Sequence, residues 1–177
     1  GGSALTSELI WREIEITKKT KPVVVSMGNY AASGGYYIAA NADRIFAEPN
    51  TITGSIGVFG MLPNASQLAK NIGINAEQVK THANAGGYSV FEPIDENFKG
   101  IVLEGIEKTY NIFLKRVADG RKMTTEQVNE IAQGRVWTGT DAHRLGLVDE
   151  IGGLEDAIKY AAKLGKTSAY RTEDLKK

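Results

Sequence analysis

The sequence predicts an α/β protein in which short strands alternate with helices. Three observations indicate this fold class. The 177 residues are enough for one domain with its own core. Its β-branched and apolar runs are short, as in buried parallel strands. Amphipathic helical patterns separate these runs, which is typical of a parallel sheet with crossover connections.

The elements can be justified in chain order. Residues 4–19 form a helix because Leu5, Leu9 and Ile16 fall near one face. The sequence then predicts a strand at 22–27, a short helix at 36–42, a strand at 44–49, a loop at 50–60 that leads into a strand, a helix at 64–72 capped by Asn64, a strand at 76–81 and an exposed loop at 82–93.

The second half of the chain is more helical. A long apolar repeat predicts a helix over 95–119, and Thr124 begins a pattern that resembles a capping box. A strand at 135–139, a brief helix capped by Thr140 or Asp141, a strand at 147–149 and a helix at 153–164 follow. We expect one domain over 1–165 and a polar tail over 166–177.

Composition excludes several classes of function. Lys plus Arg and Asp plus Glu both number 21, so zero net charge gives no electrostatic case for nucleic acid as a partner. Cysteine is absent, which excludes disulfides and thiolate catalysis. The chain has only two histidines and no clustered carboxylates, so we expect neither a metal nor another cofactor.

The most informative stretch is Ala31-Ala32-Ser33-Gly34-Gly35, directly after the predicted strand 22–27. Small residues around one hydroxyl, between a strand and a helix start, allow a sharp turn and leave that hydroxyl uncovered. Free amides at the helix start could stabilise an oxyanion beside a serine nucleophile. The alternative is a glycine-rich helix start in which Ser33 is only the N-cap.

Several motifs in register carry a family resemblance. They are G-G-S at 1–3, K-P-V-V-V-S-M-G at 21–28, A-A-S-G-G-Y-Y-I-A at 31–39, A-D-R-I-F-A at 42–47, T-G-S-I-G-V at 53–58, G-R-V-W-T-G at 134–139 and A-x-x-L-G-L-V-D at 142–149. In order and spacing the chain resembles the signal peptide peptidase family. The resemblance implies the Clp protease/crotonase-like fold of stacked β-β-α units, here without its first strands. It also implies a serine peptidase with a lysine base that degrades cleaved signal peptides.

The resemblance also assigns roles to individual residues. Ser33 matches the nucleophile, Gly34 and Gly2 match the donors of the oxyanion amides, and Ser55 matches the serine that orients the lysine amine. Two of these positions have simpler alternatives, since Gly2 could be a frayed terminus and Ser55 could only satisfy a loop carbonyl.

The catalytic lysine is missing at its expected place. In short relatives it closes a K-x-G-x-x-K pattern, and here Ala85 occupies that position while Lys80 matches the first, non-catalytic lysine. His82 is an outside candidate for the base. We therefore expect the C-terminal, serine-bearing half of a long two-domain member, whose N-terminal repeat supplies the lysine.

The resemblance implies peptide substrates, partnership with that N-terminal repeat and a homo-oligomer. It places the protein at the bacterial inner membrane, on the periplasmic or extracytoplasmic face, through an upstream anchor. Two alternatives stay open at this point. The same fold could carry a crotonase-like acyl-CoA enzyme, or the chain could be a non-catalytic scaffold repeat.

Overall fold

A computed structural model describes residues 2–82 and 85–175 of the chain. Its elements, in order, are α1 Ala4–Lys18, β1 Val24–Met27, β2 Tyr30–Ala32, α2 Gly34–Ala39, β3 Arg44–Ala47, β4 Ile52–Gly54, α3 Ser66–Asn71, α4 Glu96–Arg121, α5 Thr125–Ile131, β5 Val136–Thr138, α6 Gly139–Arg144, β6 Glu150–Ile151 and α7 Leu154–Leu164. None of the helices in these described ranges has the length and apolar character needed to cross a membrane.

The chain divides into two compact units. The first comprises Gly1–Gly57 and Tyr110–Lys177, and the second comprises Val58–Thr109. The first unit contains both sheets and all the residues predicted for the site except those of the base. The second unit contains α3, the part of α4 up to Thr109 and a long irregular segment between these two helices.

The first unit is built on two small sheets. One has the order β1-β3-β6, and its paired strands are parallel. The other has the order β2-β4-β5, in which β2 and β4 are parallel whereas β4 and β5 are antiparallel. In the second sheet Ala32 pairs with Gly54. Ser33 and Ser55 therefore each follow directly on the last paired residue of neighbouring parallel strands.

The short helix α2 lies in the core of this unit. Tyr36 and Tyr37 are buried, so their side chains pack the helix in place. The Tyr36 hydroxyl donates a hydrogen bond to the Leu147 carbonyl at 2.8 Å. Burial is the main cause that raises the pKa of Tyr36, so the phenol stays protonated and serves as a structural donor.

The motif at 142–149 closes α6 and supports α2. The amides of Leu147 and Val148 both donate to the Ala142 carbonyl, at 2.8 and 3.2 Å. Gly146 makes the turn possible with a φ of 77°. The last residue of the motif, Asp149, accepts a hydrogen bond from the Ile45 amide at 2.8 Å. The motif is therefore explained by packing and hydrogen bonding, without a catalytic role.

The second unit has less buried surface. Its contacts include the stacked rings of Tyr88 and Phe98, whose centroids lie 6.0 Å apart. A Cβ at Gly60 would lie 2.8 Å from the Ile106 side chain, so the chain passes close to α4 there. Phe59, near the end of the loop predicted at 50–60, and Met61, just after it, are exposed.

The strand predicted at 76–81 is wrong. The segment is irregular and pairs with no strand among the described residues. Val79 is fully exposed, so no burial favours an extended pleated conformation there. Lys80 accordingly lies exposed in an irregular segment and not at a strand end.

Several bounds and caps also differ from the prediction. The strand expected at 147–149 begins later, at Glu150, because the amides of Leu147 and Val148 are already used to close α6. Helix α6 is capped by Thr138, whose hydroxyl accepts from the Asp141 amide at 3.1 Å, and not by Thr140 or Asp141.

The expected cap of α3 is also wrong. Ala65 occupies the N-cap position, while the Asn64 side chain accepts a hydrogen bond from the Ser66 amide at 3.1 Å. Asn64 thus bonds to the first turn from one residue further out. The helices predicted at 4–19, 95–119 and 153–164, and the capping box at Thr124, are confirmed within one to two residues of their expected bounds.

Candidate active site

Ser33 lies at the sharp turn between β2 and α2. Its backbone has φ 54° and ψ −117°, a combination that non-glycine residues rarely adopt. Such a conformation costs about 1–3 kcal/mol and persists only where the surrounding structure enforces it. A serine on a strained strand-to-helix turn is also how other hydrolases expose a nucleophilic hydroxyl.

Hydrogen bonds on both sides of Ser33 enforce this conformation. The Ser33 amide donates to the Gly54 carbonyl at 2.9 Å, and its carbonyl accepts from the Tyr37 amide at 2.8 Å. The half-buried side chain makes no capping bond to α2. Ser33 therefore occupies the N-cap position of α2, as the alternative expected, but its hydroxyl does not cap the helix.

Gly34 is the first residue of α2 and is half-buried. The amides of a helix's first turn have no partner within the helix. The Gly34 amide is thus placed directly after the Ser33 hydroxyl in the chain. The role of this amide as a donor that stabilises an oxyanion stays a prediction.

Ser55 occupies the matching position after β4. It is also a non-glycine residue with positive φ, at 49°. The Ser55 amide donates to the Arg135 carbonyl at 2.7 Å. Across residues 2–82 and 85–175, its hydroxyl has no bond to a loop carbonyl. The pairing of Ala32 with Gly54 brings Ser33 and Ser55 to the same end of the sheet.

The glycines of the T-G-S-I-G-V motif are required by close approaches. Gly54 has φ +75°, and a Cβ on it would lie 2.8 Å from Cδ1 of Trp137. A Cβ on Gly57 would lie 2.8 Å from the backbone of Gly134. The Trp137 indole is fixed by its hydrogen bond to the Ile131 carbonyl at 2.9 Å. Both glycines therefore allow the loop that bears Ser55 to pack against its neighbours.

Gly2 lies outside this arrangement of contacts. It is exposed just before α1, and no heavy atom lies within 4 Å of the position a Cβ would take. Its role as the second oxyanion donor stays a prediction.

The expected position of the base contains no candidate for that role. Ala85 occupies the place of the lysine, and Lys80 and His82 are exposed in the second unit. His143 is exposed on α6. In the part of the chain that the structure describes, no group of three or more His, Asp or Glu residues could hold a metal ion.

A charged network that the sequence did not reveal links α2 to α1 and to the C-terminal part of α4. The Tyr37 hydroxyl and the Arg116 guanidinium both donate to the Glu8 carboxylate. The guanidinium also lies over the Trp11 ring, 3.8 Å from its centroid. No sequence signal could reveal these contacts, because Arg116 lies 108 residues from Glu8.

The pKa values within this network reflect the same bonds. The hydrogen bond from Arg116 is the main cause that lowers the pKa of Glu8. Burial, followed by the bond to Glu8, raises the pKa of Tyr37 to about 12. A charged carboxylate and a protonated phenol thus link α1 to the helix that begins beside Ser33.

Comparison with known sequences identifies the family. The model of peptidase family S49 matches residues 15–168. The chain is 47% identical to Protease 4 of Haemophilus influenzae over 165 residues, 93% of this chain and 27% of that protein. It is 43% identical to the chloroplastic serine protease SPPA of Arabidopsis thaliana over 162 residues, 91% of this chain and 24% of that protein. The chain thus spans about a quarter of the length of each of these relatives.

Solved structures confirm the expected Clp protease-like fold. A ClpP1 variant from Listeria monocytogenes has a TM-score of 0.54 at 19% identity. The matched region covers 89% of this chain and 71% of the ClpP1 chain. A membrane-bound stomatin-specific protease has a TM-score of 0.55 at 18% identity, with coverages of 90% and 63%. Since these identities are low, they establish the fold alone. The match of the family model over residues 15–168, which is most of the chain, shows that the chain belongs to peptidase family S49.

Proposed function

We propose that the chain carries the nucleophile of a serine endopeptidase, and that Ser33 is that nucleophile. The single observation that supports this role best is the strained turn at Ser33, where two hydrogen bonds hold the backbone of the residue and its hydroxyl does not cap the helix. Membership of peptidase family S49 supports the same reaction class.

In this mechanism the Ser33 hydroxyl attacks the carbonyl carbon of a peptide bond while a base takes its proton. The resulting oxyanion is stabilised by the Gly34 amide, with Gly2 proposed as the second donor. The base returns the proton to the leaving amine as the acyl-enzyme forms. A water molecule, deprotonated by the same base, then attacks the acyl carbon and releases Ser33 and the second product.

The proposed base is a lysine outside this chain. A lysine can accept the proton only as a neutral amine, which requires an environment that lowers its pKa. Ala85 leaves its expected place without an amine, and the relatives are much longer than this chain. Ser55 is proposed to hydrogen-bond that amine, because strand pairing puts it at the same sheet end as Ser33.

The proposed substrates are cleaved signal peptides at the bacterial inner membrane, on its extracytoplasmic face. We further propose that the protein acts as a homo-oligomer whose N-terminal repeat completes each site. These finer statements rest on the family resemblance of the motifs at 21–28, 31–39 and 53–58.

The first experiment tests the nucleophile in the longer protein expected from the relatives. Ser33→Ala should abolish peptidase activity and labelling by a serine-reactive phosphonate. Ser26→Ala, which alters a half-buried serine in β1, should retain both and is the matched control. Unchanged peptidase activity in Ser33→Ala would instead favour the scaffold alternative. If the unsubstituted protein lacks peptidase activity but turns over acyl-CoA substrates, the crotonase-like alternative is favoured.

The second experiment tests the origin of the base. The isolated 177-residue chain should fold, as judged by circular dichroism and cooperative thermal unfolding, yet hydrolyse peptides poorly. Robust hydrolysis that depends on Ser33 would contradict an external lysine and would direct attention to residues of this chain such as His82.

A further inference from the structure

The Tyr110 hydroxyl lies at the centre of a hydrogen-bonded network beside the loop that bears Ser55. It donates to Oδ1 of Asn129 at 2.7 Å and accepts from the Gln133 amide at 3.2 Å. Tyr110 is half-buried on α4, and Asn129 belongs to α5. One hydroxyl therefore joins two helices to the backbone just after α5.

That backbone forms a tight turn. Gln133 and Gly134 both have positive φ, at 60° and 76°. Positive φ is unfavourable for a glutamine, so additional contacts must stabilise the turn. The Arg135 guanidinium supplies one such contact by donating to Oε1 of Gln133 at 2.9 Å. The Tyr110 hydroxyl supplies another, at the Gln133 amide.

This turn is hydrogen-bonded to the loop that bears Ser55, at Ser55 and at the next residue. The Arg135 carbonyl accepts from the Ser55 amide at 2.7 Å, and the Gly134 amide donates to the Ile56 carbonyl at 2.9 Å. Gly57 packs so closely that a Cβ there would lie 2.8 Å from Gly134. Ser55 itself has a φ of 49°, so its conformation depends on this support.

We propose that Tyr110 is a positioning residue for the reaction: through the turn at Gln133–Arg135 it fixes the backbone of Ser55 and hence the place from which the Ser55 side chain presents its hydroxyl. The inference rests on the proposed function, in which that hydroxyl hydrogen-bonds the neutral lysine amine. A hydrogen bond to the neutral form of an amine disfavours its protonation and lowers its pKa. Loss of Tyr110 support therefore raises the pH at which the base becomes active.

The test is Tyr110→Phe in the longer, active protein, which keeps the ring and removes only the hydroxyl. We expect kcat to fall about tenfold, a loss equivalent to about one hydrogen bond, with KM nearly unchanged. The rising limb of the pH profile of kcat should move to higher pH. A merely structural hydroxyl would lower the melting temperature and leave that limb in place.

Thr124→Ala is the matched control, because it removes the capping box of α5 without touching the Tyr110 hydroxyl. It should lower the melting temperature and leave the pH profile unchanged. A shift of the profile in this control as large as in Tyr110→Phe would overturn the inference. If Tyr110→Phe fails to fold, Asn129→Ala removes a partner of the hydroxyl instead and should shift the limb in the same direction.

Ser55→Ala separates failure of this inference from failure of the proposed function. Suppose that Ser55→Ala shifts the rising limb of the pH profile and that Tyr110→Phe adds nothing to the shift in the double variant. Then both the positioning role of Tyr110 and the proposed role of Ser55 hold. If Ser55→Ala shifts the limb and Tyr110→Phe does not, Tyr110 has no positioning role. If Ser55→Ala leaves the limb in place, the proposed role of Ser55 fails, and the inference fails with it.

Discussion

At Gly54 the chain leaves β4 with a positive φ, and Cδ1 of the Trp137 indole lies 2.8 Å from the position that a Cβ would take. Any other residue would meet two penalties there. The left-handed backbone conformation is unfavourable for residues with a Cβ, and the Cβ would overlap the indole. The carbonyl of the same residue accepts the Ser33 amide. One glycine thus connects the two serine-bearing turns.

We predict that Gly54→Ala lowers the free energy of unfolding of the chain by about 2–5 kcal/mol, the sum of backbone strain and overpacking. Urea denaturation would measure the change. Gly105→Ala in α4 is the control, because its Cβ would meet no atom within 4 Å. This control should stabilise the chain by up to about 1 kcal/mol through helix propensity. Equal stability of Gly54→Ala and the parent chain would contradict the prediction.

At the scale of elements, local signals located helices better than strands. The long α4 and the capped α5 were predictable because their signals lie within a few neighbouring residues. Strand β2 was not predicted, since three residues acquire strand character only by pairing with β4. The segment 76–81 has a strand-like composition but no partner among the described residues.

The candidate site shows the same division. The small residues around Ser33 marked that position in the sequence, and the motif at 53–58 marked Ser55. Their placement at one sheet end depends on the register of β2 with β4, which neither motif contains. The supporting residues were not predictable, because Tyr110 reaches Gln133 across 23 positions and Arg116 reaches Glu8 across 108.

The N-terminus of α5 provides a test at this scale. The Thr124 hydroxyl accepts from the Gln127 amide at 3.2 Å, and the Gln127 side chain accepts from the Thr124 amide at 2.9 Å. Thr124→Ala should lower the free energy of unfolding by about 1 kcal/mol. The adjacent Thr125→Ala, which leaves the capping box intact, should change it by much less. Thermal unfolding of both variants would check this, and equal losses would contradict it.

At the scale of the whole molecule, Arg121 and Asp149 join the end of α4 to the parallel sheet. The guanidinium donates to both carboxylate oxygens, at 3.1 and 2.7 Å, and to the Gly146 carbonyl at 2.9 Å. Burial by itself raises the pKa of Asp149. The bonds and charge of Arg121 and the Ile45 amide outweigh it, so the pKa is lowered overall.

This lowered pKa predicts how stability depends on pH. Asp149 contributes stability that is fully present above its unfolded pKa of about 4 and is lost as pH falls through its lower folded pKa. Asp149→Asn should therefore cost about 2 kcal/mol near pH 7, and less in strong acid. Asp119→Asn, an exposed position on α4, controls for the loss of one negative charge. A cost that does not change between pH 7 and pH 2 would contradict the prediction.

The indole packed against Gly54 also gives the molecule an optical property. The chain has two tryptophans, so Trp11→Phe leaves Trp137 as the single emitter, a few ångströms from the loop that carries Ser55. Indole emission responds to the polarity and rigidity of its surroundings. We therefore expect binding of a peptide beside Ser55 to change the intrinsic fluorescence of the polypeptide, without an attached dye or a chromogenic substrate.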